Sequence, residues 1–200
     1  MSDRFTLATI QEKLTAYTPI GTLDPAVTRR AAVAMILRDA AEAGPELVLI
    51  KRADHPDDPW SGQMAFPGGH EDHGDESLEH AARRETLEEI GLPLAGSDCI
   101  GRLDDVIGGR VVQRRIAVTP FVYATSYTGP LTLNHEVADA IWIPVGALAD
   151  PAKRSPYRFP LDPEQRVFSS FVYRGYTVWG LTYSMIANLL GLLDVSLPRI

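Results

Sequence analysis

Apolar residues recur along this chain at the spacings of helices and strands. Leu7, Ile10 and Leu14 follow one another at three- and four-residue steps, which predicts a short amphipathic helix over residues 5–17. A similar spacing from Leu181 to Leu193 predicts a second helix packed on the core. Short apolar runs predict strands around residues 31–38, 46–53, 99–103, 115–124, 140–143 and 173–179.

A third helix is predicted in the middle of the chain, with Ser77 as its N-cap and Gly91 as its C-terminal stop. Its apolar positions suit burial on one side: Leu78, Ala81, Ala82, Leu87 and Ile90. Residues 53–65 are rich in Asp, Pro and Gly and predict a surface loop, and residues 66–69 predict a tight backbone passage. Strands and helices in this irregular order predict an α/β fold, an αβα sandwich with a mixed β-sheet.

Length and composition suit one compact protein. We expect residues 1–29 to form an N-terminal helix and linker, and residues 30–200 to form the main domain, including the C-terminal helix. The formal net charge of −7 argues against nonspecific binding to nucleic acid or to anionic membranes. The single cysteine, Cys99, excludes an intramolecular disulfide, and no apolar stretch is long enough to span a bilayer. We therefore expect a soluble, cytoplasmic protein without nucleic-acid or membrane partners.

Three glutamates of the predicted central helix are the strongest sign of chemistry. Glu85, Glu88 and Glu89 stand at i, i+3 and i+4, so their carboxylates project from one helix face. Their repulsion would be offset by Mg²⁺, which favours oxygen ligands and shares its coordination sphere among carboxylates, waters and phosphates. Arg84 adds a fixed positive charge that can hold one carboxylate in orientation. The pattern predicts a metal site that handles phosphates.

Acidic residues on a helix often form only a solvated face. Here an arginine precedes the cluster, Gly91-Leu92 closes it, and Phe66-Pro67-Gly68-Gly69 introduces it, which favours a functional site. His70, His73 and His80 lie nearby, but their spacing matches no helical i, i+4 metal pair. Because the surrounding carboxylates also prefer harder ions, we expect no zinc site.

At these residues the sequence resembles the signature of the Nudix hydrolase family. The signature runs Gly, five residues, Glu, seven residues, Arg-Glu, an apolar residue, any residue, Glu-Glu, any residue, Gly and an apolar residue. Glu76 stands seven residues before Arg84, as required, but six residues instead of five separate it from Gly69, so the loop has one extra residue. Thr86 occupies a position that is usually more apolar. The signature covers residues 69–92, and the order of elements suits the Nudix fold over about residues 30–193.

The resemblance implies a pyrophosphohydrolase that uses Mg²⁺ or Mn²⁺ to cleave the diphosphate of a nucleoside diphosphate derivative. The implied metal ligands are Glu85, Glu88, Glu89 and the carbonyl of Gly69. The catalytic candidates are Glu88, Arg84, which would orient a carboxylate, and Glu136, which precedes a predicted strand. A plain surface acid is an equally good interpretation of Glu136. The resemblance also leaves a homodimer open.

Further upstream, Leu49-Ile50-Lys51-Arg52 and the stretch from Gly62 to Gly69 are similar to an additional motif of Nudix enzymes that hydrolyse coenzyme A and its thioesters. Where that subgroup usually has Leu-Arg-x-His, this chain has Asp57-Asp58-Pro59-Trp60-Ser61. The implied substrate is coenzyme A or an acyl derivative. ADP-ribose or another nucleoside diphosphate derivative is the alternative, and a nucleotide-binding protein without turnover is a third interpretation. The candidate substrate contacts are Arg52, Gln63, Phe66 and Trp60.

Overall fold

A computed structural model describes residues 5–40, 44–56, 58–108 and 115–198, and within them the chain forms four α-helices and eleven β-strands. The helices are α1 (Leu7–Thr15), α2 (Leu78–Ile90), α3 (Val145–Ala149) and α4 (Gly180–Leu192). The strands are β1 (Arg29–Asp39), β2 (Pro45–Arg52), β3 (Met64–Ala65), β4 (Gly68–His70), β5 (Cys99–Arg102), β6 (Val106–Gly108), β7 (Ile116–Thr125), β8 (Val137–Pro144), β9 (Arg154–Arg158), β10 (Val167–Tyr173) and β11 (Tyr176–Trp179).

A mixed sheet forms the centre of the protein. Its strand β1 pairs in parallel with β7, from Arg29 opposite Ile116 to Arg38 opposite Thr125. It also pairs antiparallel with β2 and with the short β4. The strands β3 and β8 extend the sheet from β2, while β5 and β6 pair with β7. The predicted mixed sheet is confirmed, with β4 and β6 as short strands that the hydrophobic pattern does not reveal.

Alternate residues of β1 face two separate hydrophobic layers, as the two-residue period of a strand requires. Met35 and Leu37 belong to the core cluster that also contains residues of α1 and α4. Ala34 and Ile36 belong to the second cluster, which contains residues of α2. Because both faces of the sheet are covered by helices, the protein is an αβα sandwich, as predicted.

The limits of α2 agree with the sequence. The Ser77 hydroxyl accepts a hydrogen bond from the His80 backbone N–H at 3.1 Å, and Gly91 ends the helix in the left-handed conformation at φ +65°. One predicted core position is wrong, however, because the Leu87 side chain is 53% exposed. The buried face instead carries Thr86 and Glu89, together with the alanines and Ile90. A carboxylate therefore lies inside the sandwich on this face.

Residues 173–179, predicted as one strand, form a hairpin instead. The strand β10 ends at Tyr173, and β11 starts at Tyr176. Arg174 and Gly175, between them, have φ angles of +48° and +87°. Positive φ at both central residues is typical of the tight turns that join antiparallel strands. With β9, this hairpin forms a second sheet of three strands in the order β11-β10-β9, which the sequence does not predict.

The N-terminal segment is attached to the main sheet by packing and by hydrogen bonds. Ile10 and Leu14 of α1 are buried in the same cluster as α4. Asp104 accepts hydrogen bonds from the Tyr17 hydroxyl and the Ile20 N–H, both at 2.7 Å. The division into a segment 1–29 and a domain 30–200 stays a prediction. None of the helices in the described residues combines the length and hydropathy that a membrane crossing requires.

Candidate active site

Two glycines bring the backbone of β4 close to β1 and to α2. Gly68 has φ +146°, and a Cβ atom there would lie 2.3 Å from the Ala32 carbonyl oxygen. A Cβ atom at Gly69 would lie 2.5 Å from Cδ of Glu85. Only a residue without a side chain fits in either place. The glycine pair therefore forms the cradle in which a carboxylate of α2 rests.

Glu89 is the most buried carboxylate of the site, with 3% of its surface exposed. Its Oε2 accepts a hydrogen bond from the Gly68 N–H at 2.9 Å. Burial raises the pKa of Glu89 to about 8, although the hydrogen bond and the charge of Arg52 oppose the shift. The charges of Glu85 and Glu136 raise the pKa of Glu89 further. Near neutral pH this side chain therefore holds a proton that an approaching cation would displace.

Glu85 lies next to this group. Burial raises the pKa of Glu85, while its hydrogen bond to Arg84 lowers it and the charges of Glu88 and Glu136 raise it. Glu136 thus acts electrostatically on both inner carboxylates, although its own side chain is 60% exposed. The structure brings Glu136 to the carboxylates of α2, from a loop that the sequence places 47 positions after Glu89 (136 − 89 = 47).

Arg84 joins the carboxylates on the outer side of α2. Its Nη1 lies 2.9 Å from Glu85 and 3.3 Å from Glu88. Its Nε and Nη2 each lie 3.1 Å from one oxygen of Asp75. This bidentate contact holds the pKa of Asp75 at about 2. Arg84 is therefore fixed by one acid and in turn fixes two others.

The acid that holds Arg84 is Asp75, whereas the glutamate that the signature spacing identifies, counted back from Arg84, is Glu76. The side chain of Asp75 is 1% exposed, but Glu76 is exposed to solvent. Five residues separate Gly69 from Asp75, so the family spacing is kept on this side, and the extra residue lies between Asp75 and Arg84. Counting forward from Gly69, instead of backward from Arg84, would have identified Asp75 from the sequence.

The three glutamates predicted as metal ligands have different surroundings. Glu89 points inward, Glu85 lies half-buried on Gly69, and the Glu88 side chain is 54% exposed beside Arg84. Within the described ranges, no three His, Cys, Asp or Glu side chains form a ready-made cage for a metal ion. The donor set consists of oxygens and is partly buried, which fits a hard divalent cation. Convergence of the three carboxylates on one ion stays a prediction.

The predicted substrate contacts separate into two groups. Arg52 is close enough to lower the pKa of Glu89, and its guanidinium is held by Asp58 at 2.6 Å. Gln63 lines a cavity beyond the end of β2, where its Oε1 accepts a hydrogen bond from the indole of Trp179. Both residues remain candidates.

The two aromatic candidates contact other parts of the protein. The ring of Trp60 stacks on Phe159, with ring centroids 5.3 Å apart. Phe66 is 2% exposed in the hydrophobic core, so the prediction that it contacts substrate is corrected. Phe66 lies between β3 and β4, and its ring belongs to the core cluster that also contains residues of α1 and α4. Asp57, from the same motif, lies outside the described residues.

Comparisons with known proteins agree with this architecture. A family model described as NUDIX domain matches residues 28–164. The uncharacterized Nudix hydrolase NudL of Enterobacter sp. (strain 638) is 33% identical over 170 residues, covering 82% of this chain and 83% of that protein. NudL of Yersinia pestis (strain Pestoides F) is 35% identical over 170 residues, covering 82% and 79%. An uncharacterized Schizosaccharomyces pombe protein is 35% identical over 116 residues, and the match covers 54% of this chain but only 34% of that longer protein.

Solved structures show the same fold. The crystal structure of a Nudix hydrolase from Alicyclobacillus acidocaldarius aligns with a TM-score of 0.54 at 20% identity, covering 83% of this chain and 91% of that one. The MutT/nudix family protein from Enterococcus faecalis aligns with a TM-score of 0.52 at 15% identity, covering 88% and 59%. Since the family model matches well over half of the chain and the NudL proteins exceed 30% identity over most of their length, this chain belongs to the Nudix hydrolase family.

Proposed function

We propose that the protein is a pyrophosphohydrolase that requires a divalent metal ion and cleaves the diphosphate of a nucleotide derivative. The observation that carries this proposal is the buried Glu89 beside Glu85 and Glu136, on a glycine cradle. Burial and neighbouring negative charges raise the pKa values of Glu85 and Glu89, an arrangement that is unfavourable for the ionised carboxylates unless they bind a cation. A diphosphate is the kind of ligand that shares such a cation with carboxylates.

The residues that would hold Mg²⁺ or Mn²⁺ are Glu85, Glu88, Glu89 and the backbone carbonyl of Gly69. When bound, the ion supplies an activated water, orients the diphosphate and offsets negative charge on the leaving phosphate. Glu88 reaches this position from the exposed side of α2 and Glu89 from the buried side. With Glu88 and Glu89 as ligands, the ion would be held at the boundary between the sandwich and solvent, where a substrate can approach.

Arg84 acts as a positioning residue. Its bidentate contact with Asp75 leaves Nη1 free to hold Glu85 and Glu88 at fixed distances. For the proton released by the attacking water, the candidates are Glu88 and Glu136, because both are exposed and can pass the proton on to solvent. Separate substitution of Glu88 and Glu136 distinguishes them, because loss of the general base removes the acid limb of the pH profile of kcat/KM and loss of the other carboxylate does not.

Coenzyme A or an acyl derivative is the favoured substrate within this class. The support is the similarity of residues 49–52 and 62–69 to the motif of coenzyme A hydrolysing Nudix enzymes. ADP-ribose or another nucleoside diphosphate derivative is the second candidate. In this chain Trp60 and Asp58 stand within the departure from that motif, and they contact Phe159 and Arg52. These two contacts therefore hold the loop after β2 against the rest of the protein.

The test incubates purified protein with Mg²⁺, with Mn²⁺, or with EDTA and a panel of coenzyme A, an acyl-coenzyme A and ADP-ribose. Mass spectrometry of the products should show two phosphomonoesters from the preferred substrate, and none in EDTA. Glu89→Gln should lower kcat by orders of magnitude, whereas Glu76→Gln, which removes an exposed neighbouring carboxylate, should leave it unchanged. Tight binding of one compound without turnover of any would instead support a nucleotide-binding protein.

A further inference from the structure

A cavity of about 430 Å³ lies between the end of β2 and the turn of the β10–β11 hairpin. This volume is in the range of small-molecule sites. One wall contains Lys51 and Gln63, and the other contains Tyr157, Arg174 and Tyr176. The cavity exists because the second sheet packs beside the main sheet. It therefore depends on the part of the fold that the sequence does not predict.

The charge of this cavity is opposite to that of the protein as a whole. Lys51 and Arg174 bring two positive charges to it, and none of the described residues that line it is acidic. Neither cation forms an ion pair with a carboxylate of the described residues. The nearby Asp139 instead accepts a hydrogen bond from the Tyr176 hydroxyl. In a chain with a net charge of −7, this is a local site that favours an anion.

The cavity begins next to the active site. Lys51 and Arg52 are consecutive residues at the end of β2, so their side chains point to opposite faces of the sheet. Arg52 lies on the active-site side, where its charge lowers the pKa of Glu89. Gly62 and Gln63, which line the cavity, exchange backbone hydrogen bonds with Arg52, so the cavity adjoins the residue whose charge acts on Glu89.

We propose that this cavity binds a second anionic group of the substrate, a phosphomonoester remote from the diphosphate, through Lys51 and Arg174. The position of the diphosphate rests on the proposed function. Cations on two walls suit a phosphate, which offers oxygens in several directions, better than an uncharged sugar. The site selects nucleotide derivatives that carry an additional phosphate over those that lack it.

A kinetic test uses coenzyme A and 3′-dephospho-coenzyme A, which differ by one phosphate. Lys51→Met and Arg174→Asn each remove one charge, and asparagine tolerates the positive φ of +48° at residue 174. We expect each variant to raise KM for coenzyme A about tenfold, with little change for the dephospho compound and in kcat. The control Lys13→Met removes a charge from α1, outside the cavity, and should change neither. Equal effects on both compounds would overturn the proposal.

A binding test without metal separates this proposal from the proposed function. Trp179 hydrogen-bonds to Gln63 and its ring lies 4.8 Å from that of Tyr157, so its fluorescence reports on the cavity. In EDTA, adenosine 3′,5′-bisphosphate should bind about tenfold more tightly than AMP, and Lys51→Met and Arg174→Asn should abolish the preference. A preference that is absent, or unchanged in both variants, refutes the cavity as a phosphate site. Absence of turnover with every diphosphate would instead refute only the hydrolase.

Discussion

Replacement of Glu89 by glutamine should change how the stability of the metal-free protein depends on pH. The pKa of Glu89 is about 8 in the folded protein and about 4.5 when the side chain is free. The folded state therefore keeps a proton that the unfolded chain has already released between these values. The free energy of unfolding consequently falls as pH rises through this window. Below pH 4.5 both states are protonated, and no difference remains.

The magnitude follows from the same two pKa values. The rise in the pKa of Glu89 from 4.5 to about 8 lowers the free energy of unfolding above pH 8 by at most ~5 kcal/mol, because each pKa unit represents ~1.4 kcal/mol. Glutamine is uncharged at all these pH values, and its side-chain oxygen can still accept the hydrogen bond from the Gly68 N–H. We expect Glu89→Gln to match the wild type near pH 5 and to exceed it by about 2 kcal/mol or more at pH 9.

Urea denaturation in EDTA, followed by circular dichroism from pH 5 to pH 9, measures this difference. Glu76→Gln is the matched control and should follow the wild-type curve, because Glu76 is exposed. Added Mg²⁺ should stabilise the wild type increasingly as pH rises, since the cation displaces the proton of Glu89, and should stabilise the variant much less. Parallel pH curves for the wild type and Glu89→Gln would refute an inner carboxylate with a raised pKa.

Three further substitutions test one close approach and two buried, hydrogen-bonded carboxylates. Gly69→Ala places a methyl group 2.5 Å from Glu85 Cδ and should lower kcat/KM at least ~10-fold. The control is Gly74→Ala, which should leave kcat/KM unchanged because nothing lies within 4 Å of the added methyl group. Asp75→Asn should lower kcat about tenfold because it weakens the bidentate contact that positions Arg84, and wild-type kcat in steady-state assays would contradict that role. Asp105→Ala should lower the free energy of unfolding by about 3 kcal/mol, because the Thr22 N–H and the Thr119 hydroxyl lose a buried acceptor. Urea denaturation measures this loss.

Local signals predicted the elements that carry the chemistry. The limits of α2 follow from Ser77 and Gly91, whose roles depend only on neighbouring residues. The glycine pair before α2 marks the close approach to β1 and to Glu85, again because of a property of glycine itself. The mixed sheet was predicted from the irregular order of strands and helices, and the alternation along β1 accounts for its two buried faces. Interactions between residues close in sequence were therefore sufficient to predict these elements.

Features that depend on distant contacts were predicted less well. Residues 173–179 have the composition of a strand, and only the pairing of β11 with β10 shows that a turn divides them. Asp75 and Glu76 are equivalent as adjacent acids, and the fold buries one of them against Arg84. Leu87 was predicted in the core because it is hydrophobic, but the face of α2 that meets the sheet carries Glu89 instead. In each case a contact that the hydrophobic pattern does not show decides the outcome.

The contrast between Asp75 and Glu89 explains why the proposed metal site is placed at Glu89 and not at Asp75. Asp75 is buried but forms a bidentate contact with Arg84, and its pKa stays at about 2. Glu89 is buried with only a backbone N–H as a direct hydrogen-bond donor, and its pKa is about 8. One guanidinium is thus shared among Asp75, Glu85 and Glu88, while Arg52 is already held by Asp58. Among these described carboxylates, Glu89 is the one without a cation in direct contact, and the proposed divalent ion would complete the site there, beside Glu85 on the glycine cradle.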